Sequence, residues 1–350
     1  MKHFKAVDAF CGAGGLSLGL SQAGFDILLG FDLDDLCINS LQHNTKYVKH
    51  KVVAADVKSM CGGRLLKLTG IKRGQLDLLA GGPPCQGFSV QRTVGGEEDS
   101  RNLLVDDYGD LITEVLPKFF LLENVPGIGG KRGRETLEKF IARMTSNGYF
   151  CHQNILDARD YGVPQRRKRY ILVGEYINSN KPVFVFPKKS TKKAVTVGET
   201  IGWLPEPPCK KYALHRADNL SEINLQRIRA ISAGQSREHL PAHLLAECHK
   251  SSADLIGHRN VYGRMAWDDV SPTITARFDS FTRGKFGHPF QDRSISLLEG
   301  ALLQSFPKDY IFTGNKVDIA RQIGNAVPPL LSKAIGKSIM SALEKKRDVI

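Results

Sequence analysis

The sequence predicts an α/β protein on a largely parallel sheet, with a second, smaller and more basic domain in its C-terminal half. Three observations carry this expectation. Short β-branched and apolar runs alternate with helical patterns through about the first 175 residues, the signature of βαβ units. From Lys181 to Phe290 the alternation lapses into Pro-, Ser- and Lys-rich stretches such as PKKSTKK and LPEPPCKKY. A regular segment then returns and ends in the amphipathic PPLLSKAIGKSIMSALEKK.

Taken in order, FKAVDAF reads as the first strand, and Leu16, Leu20 and Ala23 recur at helical spacing before Gly24 closes the helix. DILLGFDL follows as strand, DLCINSLQHN as helix, KVVAADV and LDLLAGG as strands, LITEVLPK as helix, KFFLLENV as strand, ETLEKFIARM as helix and YILVGEY as strand. Leu297 to Leu303 reads as helical, and the prolines that open the last helix suit a segment packing back onto the first domain. The expected boundaries are therefore 1–180 plus 315–350 for the first domain and 181–314 for the second.

At 350 residues, with 41% hydrophobic and 24% charged, the composition excludes disordered and fibrous chains. No uncharged apolar stretch approaches the roughly 20 residues of a membrane span, and MKHFKAVDAF lacks the apolar core of a secretory signal. A cytoplasmic protein with no membrane partner is expected. Seven scattered cysteines without a C-x-x-C pair read as reduced thiols and give no reason to expect a metal. The net charge of +13 favours a polyanionic partner, and residues 181–290 carry over half of it, with 17 Lys and Arg against 10 Asp and Glu.

Ligands of open parallel sheets bind beyond the carboxyl ends of the strands, and the unusual residues gather there. The first strand ends in DAFCGAGG, the second in FDLDD, the third in ADV, the fourth in GGPPCQGFS and the fifth in ENV. The loop with Gly12 and Gly14 lets backbone approach a ligand closely, but Ser17 stands at the third glycine of G-x-G-x-x-G and no P-loop lysine follows, so pyrophosphate is not favoured. Asp32, 20 residues beyond Gly12, is spaced to accept from ribose hydroxyls and Asp56 from an amino group; each also reads as a helix-capping carboxylate. Two glycines and two prolines fix the turn presenting Cys85, as a nucleophile would be presented. Glu123 closes the neighbouring strand, where a carboxyl could serve as acid beside that thiol. QRRKRY runs into a strand, whose period of two would point Arg167 and Arg169 together, either into solvent or as a clamp on phosphate or carbonyl oxygens.

In this order DAFCGAGG, GFDLDD, ADV, GGPPCQGFS, LLENV, PQRRKRY and QIGNAVPP resemble the ordered blocks of DNA (cytosine-5) methyltransferases over nearly the whole chain. The resemblance implies a Rossmann-like S-adenosylmethionine-dependent methyltransferase sheet with a target recognition domain between the QRRKR and GNAVPP blocks. It implies that the Cys85 thiolate attacks carbon 6 of a flipped cytosine, that Glu123 holds or protonates ring nitrogen 3, and that Arg167 binds the base's carbonyl oxygen and orients Glu123. Phe10, Gly12, Gly14, Asp32, Asp56, Pro84, Leu104 and Asn325 would line S-adenosylmethionine, while Ser89, Arg92 and Arg169 would face the DNA. Thr273, Thr275, Arg277, Arg283 and Lys285, in ITARFDSFTRGKFGH, are candidates for reading base edges.

Two departures stand out: Asp32 occupies a position where Glu is more usual, and RSISLLEGALLQSFP is a loose form of the ninth block. The implied partner is double-stranded DNA, with a cognate restriction endonuclease acting separately and the methyltransferase itself a monomer. The alternative is a transfer-RNA cytosine-5 methyltransferase on the same scaffold. That branch resembles PPCQPFT with a later CFT, whereas this chain has Gly87 and Ser89 and no CFT.

Overall fold

The computed structural model describes residues 4–84, 103–130, 133–177, 181–246 and 260–347. The chain forms two compact units. The first comprises Met1–Tyr161, Lys168–Lys189 and Val327–Ile350, and the second Gly162–Arg167 and Ser190–Ala326. Residues 162–167 and 315–326, expected with the first domain, thus belong to the second. The former join it because Gln165 bridges to Ser271, and Arg166 N–H donates to Ser271 O at 2.9 Å.

In the first unit β1 (Lys5–Ala9), α1 (Gly15–Ala23), β2 (Asp26–Asp32), α2 (Asp35–His43), β3 (Lys51–Ala54), α3 (Gly62–Thr69) and β4 (Leu78–Gly81) follow one another. Then come α4 (Leu103–Val115), β5 (Phe119–Asn124), α5 (Arg134–Ser146), β6 (Tyr149–Asp157) and β7 (Lys168–Tyr176). The sheet runs β3-β2-β1-β4-β5-β7-β6, with β7 antiparallel to both neighbours and the remaining pairings parallel. This is the expected Rossmann-like α/β sheet. Its strand order reverses between β1 and β4, where such sheets open a crevice at their carboxyl ends.

β4 and β5 are buried on both faces, which explains why they read as continuous apolar runs. Tyr108 of α4 lies over them, its hydroxyl donating to Leu79 O and Leu121 O at 3.0 and 2.9 Å.

The second unit has little regular structure: α6 (Val197–Ile201), α7 (Glu222–Arg229), α8 (Leu297–Leu303) and α9 (Lys316–Asn325). Buried arginines bind its loops together. Arg264 donates to Ile228 O, Ile231 O, His288 O and Gln291 O at 2.7–3.1 Å and pairs with Asp292. Arg293 forks onto Glu299 with two contacts of 2.7 Å. The loose ninth block is α8, started by a complete capping box of Ser296 and Glu299.

After this the chain returns to the first unit as α10 (Pro329–Arg347), which packs on α1 as its prolines suggested. Gly19 makes the close approach possible, since a Cβ there would lie 2.3 Å from Pro329 O. Among the described residues no helix is long and apolar enough to cross a membrane.

Candidate active site

The carboxyl ends of β2, β1, β4 and β5 lie side by side, and each contributes a candidate residue. At β1 the chain turns through Phe10, Gly12 and Gly14 at φ of 57, 50 and 85°. Left-handed backbone is ordinary for glycine but strained for Phe10, whose ring meets Tyr108 edge-on at 6.0 Å between centroids. A Cβ on Gly12 would meet nothing within 4 Å among the described residues, so the loop borders space they leave open.

Asp32 ties that loop to β2, because its Oδ2 accepts from Gly12 N–H at 2.8 Å and its Oδ1 from Asp34 N–H at 2.9 Å. Burial raises its carboxyl above the usual range against the lowering effect of these bonds. Leu33, beside it, is 70% exposed, an apolar surface at a strand end that sequence reasoning passed over although it lies within FDLDD. Asp56 caps the turn Val57–Ser59 through Lys58 N–H at 3.0 Å. Its capping reading therefore holds, and the carboxylate is half-buried beyond β3.

At β4 both glycines of GGPP stand in close quarters, Gly81 the more so. A Cβ on Gly81 would lie 2.9 Å from the Tyr108 ring, and one on Gly82 would lie 3.1 Å from Glu123 Oε2. Asn124 Nδ2 donates to Pro83 O at 3.2 Å, fastening the end of β5 to the same turn. Pro84 is exposed, and Leu104 is half-buried against the core. Cys85, Ser89 and Arg92 lie outside the described residues.

The arginine on Glu123 is Arg169: its Nε stands 2.7 Å from Oε1, both side chains being 12% exposed. Glu123 pairs with Ile171 across the antiparallel β5–β7 ladder, and Arg169 is its diagonal neighbour on the same face. Two expectations change. Arg169 bonds Glu123, a partner the sequence reading had given to Arg167. Arg167 is buried in the second unit, donating to Ile274 O (2.8 Å), Gly324 O (2.8 Å) and Ala326 O (3.1 Å). The reason is local: β7 begins at Lys168, so the alternation that would align the two arginines does not extend to Arg167. The signal was the glutamine-bearing, turn-like start of QRRKRY.

Asp8, in β1, is the acid of DAFCGAGG and has no role in the sequence reading. It is completely buried, Ser17 Oγ donates to its Oδ2 at 2.5 Å, and Oδ1 has no hydrogen-bond partner among the described residues. Burial pushes its carboxyl up to about 7. The unfolded chain releases this proton near pH 4, so the folded state binds more protons between about pH 4 and 7. Stability therefore falls as pH rises through that window, by at most about 1.4 kcal/mol per unit. In thermal melts between pH 5 and 7.5 the wild type should lose stability toward pH 7.5, and Asp8→Asn should flatten the profile. Equal slopes would remove Asp8 as the cause.

In the second unit Asn325 ends α9 and is exposed. Thr273 Oγ1 donates to Arg166 O at 2.6 Å and Lys285 Nζ to Gly234 O at 2.7 Å, so both are committed to backbone. Thr275 is half-buried with its backbone pressed against Gly324. Arg277 is exposed with Nε 3.1 Å from Asp279, and Arg283 is exposed.

A family model described as C-5 cytosine-specific DNA methylase matches residues 4–341. The chain is 36% identical to Type II methylase M.HgiDII of Herpetosiphon aurantiacus over 348 residues, covering 97% of this chain and 95% of that protein. It is 33% identical to Type II methyltransferase M.XorII of Xanthomonas oryzae pv. oryzae, over 97% of this chain and 85% of that protein. Among solved structures, a candidate DNA modification methyltransferase encoded within an E. coli prophage superposes with a TM-score of 0.73 at 26% identity, over 97% of this chain and 99% of that one.

Proposed function

The chain belongs to the C-5 cytosine-specific DNA methylase family and is a DNA (cytosine-5) methyltransferase; we propose that Cys85 and Glu123 carry the reaction, with Arg169 holding Glu123. The observation that carries this reading is the Arg169–Glu123 ion pair beside Gly82, at the start of the turn leading to Cys85. Carbon 5 of cytosine is a poor nucleophile. Addition of the Cys85 thiolate to carbon 6 makes it electron-rich, and Glu123 stabilises the charge that develops by holding or supplying a proton at ring nitrogen 3. Arg169 fixes the Glu123 carboxyl through Nε. Carbon 5, so activated, takes the methyl group, and loss of its proton with expulsion of Cys85 then leaves 5-methylcytosine.

The residues of the first unit fit S-adenosylmethionine, which when bound supplies an electrophilic methyl group. Open space above Gly12 accommodates it, Asp32 retains lone pairs for ribose hydroxyls, Asp56 is available to an amino group, and Leu33 offers a flat apolar contact. Phe10, Gly14, Pro84 and Leu104 remain candidates beside them. Double-stranded DNA is the substrate, with the target base extruded from the stack. Residues 190–326 read the flanking sequence, and Arg277 and Arg283, being exposed, suit base edges better than Thr273 or Lys285. The Type II names of the relatives suggest a cognate endonuclease for this chain too.

Bisulfite sequencing of plasmid from cells expressing the protein should reveal 5-methylcytosine at one recurrent sequence. Unmodified plasmid alongside folded protein, or methylation confined to transfer RNA, would reject this account.

A further inference from the structure

One buried side chain reaches three of the strand ends that form the site. Tyr108 of α4 has no exposed surface, and its ring meets the Phe10 ring edge-on beyond β1. It also fills the space beside Gly81, at the end of β4, where a Cβ would lie 2.9 Å from ring Cε2. Its hydroxyl stands 3.0 Å from Leu79 O of β4 and 2.9 Å from Leu121 O of β5, so one proton is shared between neighbouring strands. Leu79 precedes Gly82 by three residues, and Leu121 precedes Glu123 by two. Burial raises the phenol well above its ordinary range, so the hydroxyl keeps this proton at neutral pH.

Packing alone does not call for a tyrosine. A phenylalanine would fill most of the same volume, and a buried hydroxyl is tolerated only where acceptors meet it. Both acceptors here are carbonyls just inside the ends of the two strands that lead to the catalytic turn and to Glu123. The ring has a second task. Phe10 sits at φ 57°, a left-handed conformation that strains a bulky residue and persists only where its surroundings hold it. Among the described residues the aromatic ring against Phe10 is that of Tyr108. Phe10 runs on into Gly12 and Gly14, so a return of its backbone to ordinary conformation would move the glycine loop with it.

We infer that Tyr108 is a positioning residue with two separable effects. Its ring holds the loop from Phe10 to Gly14 in the form that takes S-adenosylmethionine, and its hydroxyl fixes the spacing of the β4 and β5 ends. Fully buried, it acts through these neighbours and touches neither cofactor nor base. This rests on the cofactor and catalytic assignments made above.

Two measurements on the full chain separate the effects: the dissociation constant for S-adenosylmethionine without DNA, by equilibrium dialysis, and kcat for methyl transfer to plasmid at saturating cofactor. Tyr108→Phe keeps the ring, so its dissociation constant should stay within about twofold of wild type while kcat falls roughly three- to tenfold. Tyr108→Leu removes ring and hydroxyl together, so it should also bind the cofactor roughly tenfold more weakly. Wild-type kcat in Tyr108→Phe, or wild-type cofactor affinity in Tyr108→Leu, overturns the inference whatever happens to the melting temperature. So does a Tyr108→Phe that loses cofactor affinity and kcat in equal measure, as a general loosening of the fold would produce.

Phe10→Leu checks the route through Phe10. In that background Tyr108→Leu should cost less than about threefold further in cofactor affinity, and a full second tenfold loss rejects the coupling. Should Tyr108→Leu not fold, Tyr108→Met restores volume without a ring and carries the same expectation. Wild type that binds no S-adenosylmethionine, or methylates no plasmid, defeats the assignments above and this inference together. Wild-type binding and turnover beside unmoved variants defeats Tyr108 alone.

Discussion

Duplex DNA carrying 5-fluorocytosine at the target position should be recovered from a denaturing gel covalently attached to the protein through Cys85. Once carbon 5 carries the methyl group, the bond from Cys85 to carbon 6 breaks by elimination only if a proton leaves carbon 5, and fluorine cannot leave as a proton. One turnover with S-adenosylmethionine should therefore strand the adduct. Cys85→Ala should abolish it and lower turnover by roughly 10⁴-fold or more, while leaving duplex binding in place. Glu123→Gln should slow its formation severely, because an amide cannot supply the proton at ring nitrogen 3. Two of the other cysteines compete poorly. Cys11 is buried and its thiol is pushed well up by desolvation, and Cys151 is pushed up to about 11 for the same reason. Cys61 is exposed and is the informative control. An adduct that persists in Cys85→Ala, or that maps to Cys61, would end the mechanism proposed here.

The second large effect separates two arginines that are neighbours in sequence. Arg169→Ala should lower kcat by roughly 10²- to 10³-fold, the usual loss when a preorganised charge-stabilising group goes, with a melting temperature close to wild type. Arg167→Ala should behave in the opposite manner. Three buried carbonyls lose a charged donor at once, which costs about 3 kcal/mol or more, so the loss should appear first in thermal melts and only secondarily in rate. A stable, inactive Arg167→Ala beside an active Arg169→Ala would invert the assignment.

Why sequence alone did not pair Glu123 with Arg169 is instructive. Periodicity of two assigns faces within a strand but cannot say where the strand starts, and Lys168 opens β7 because residues 162–167 find hydrogen-bonding partners more than 100 positions away. Long-range pairing of that kind leaves no local pattern. The same limit hid β6, a polar, half-exposed edge strand, and α3, whose Gly62 and Gly63 weaken the helical signal. By contrast, β1, β2, β4 and β5 were legible because buried parallel strands must be apolar, and the strand-end row of Asp32, Gly82 and Glu123 followed from the topology alone. Outside α8 the second unit gave little element pattern, because buried arginines bonded to carbonyls hold its loops around a small apolar cluster of Ile228, Ile231, Leu240 and Phe281.

The packing of α10 on α1 has a consequence for how the protein is made. The face of α1 around Gly19 and Leu20 is complete early in translation, yet the helix that covers it is encoded about 300 residues later. At roughly 5–20 residues per second, the nascent chain carries that face bare for on the order of 15–60 seconds, while the whole second unit is synthesised in between. The glycine loop at the head of α1 thus gains its final support only when the last helix leaves the ribosome. A ribosome that stalls before Pro329 releases a polypeptide with the catalytic candidates present and that supporting helix missing, so quality control will see it as unfinished.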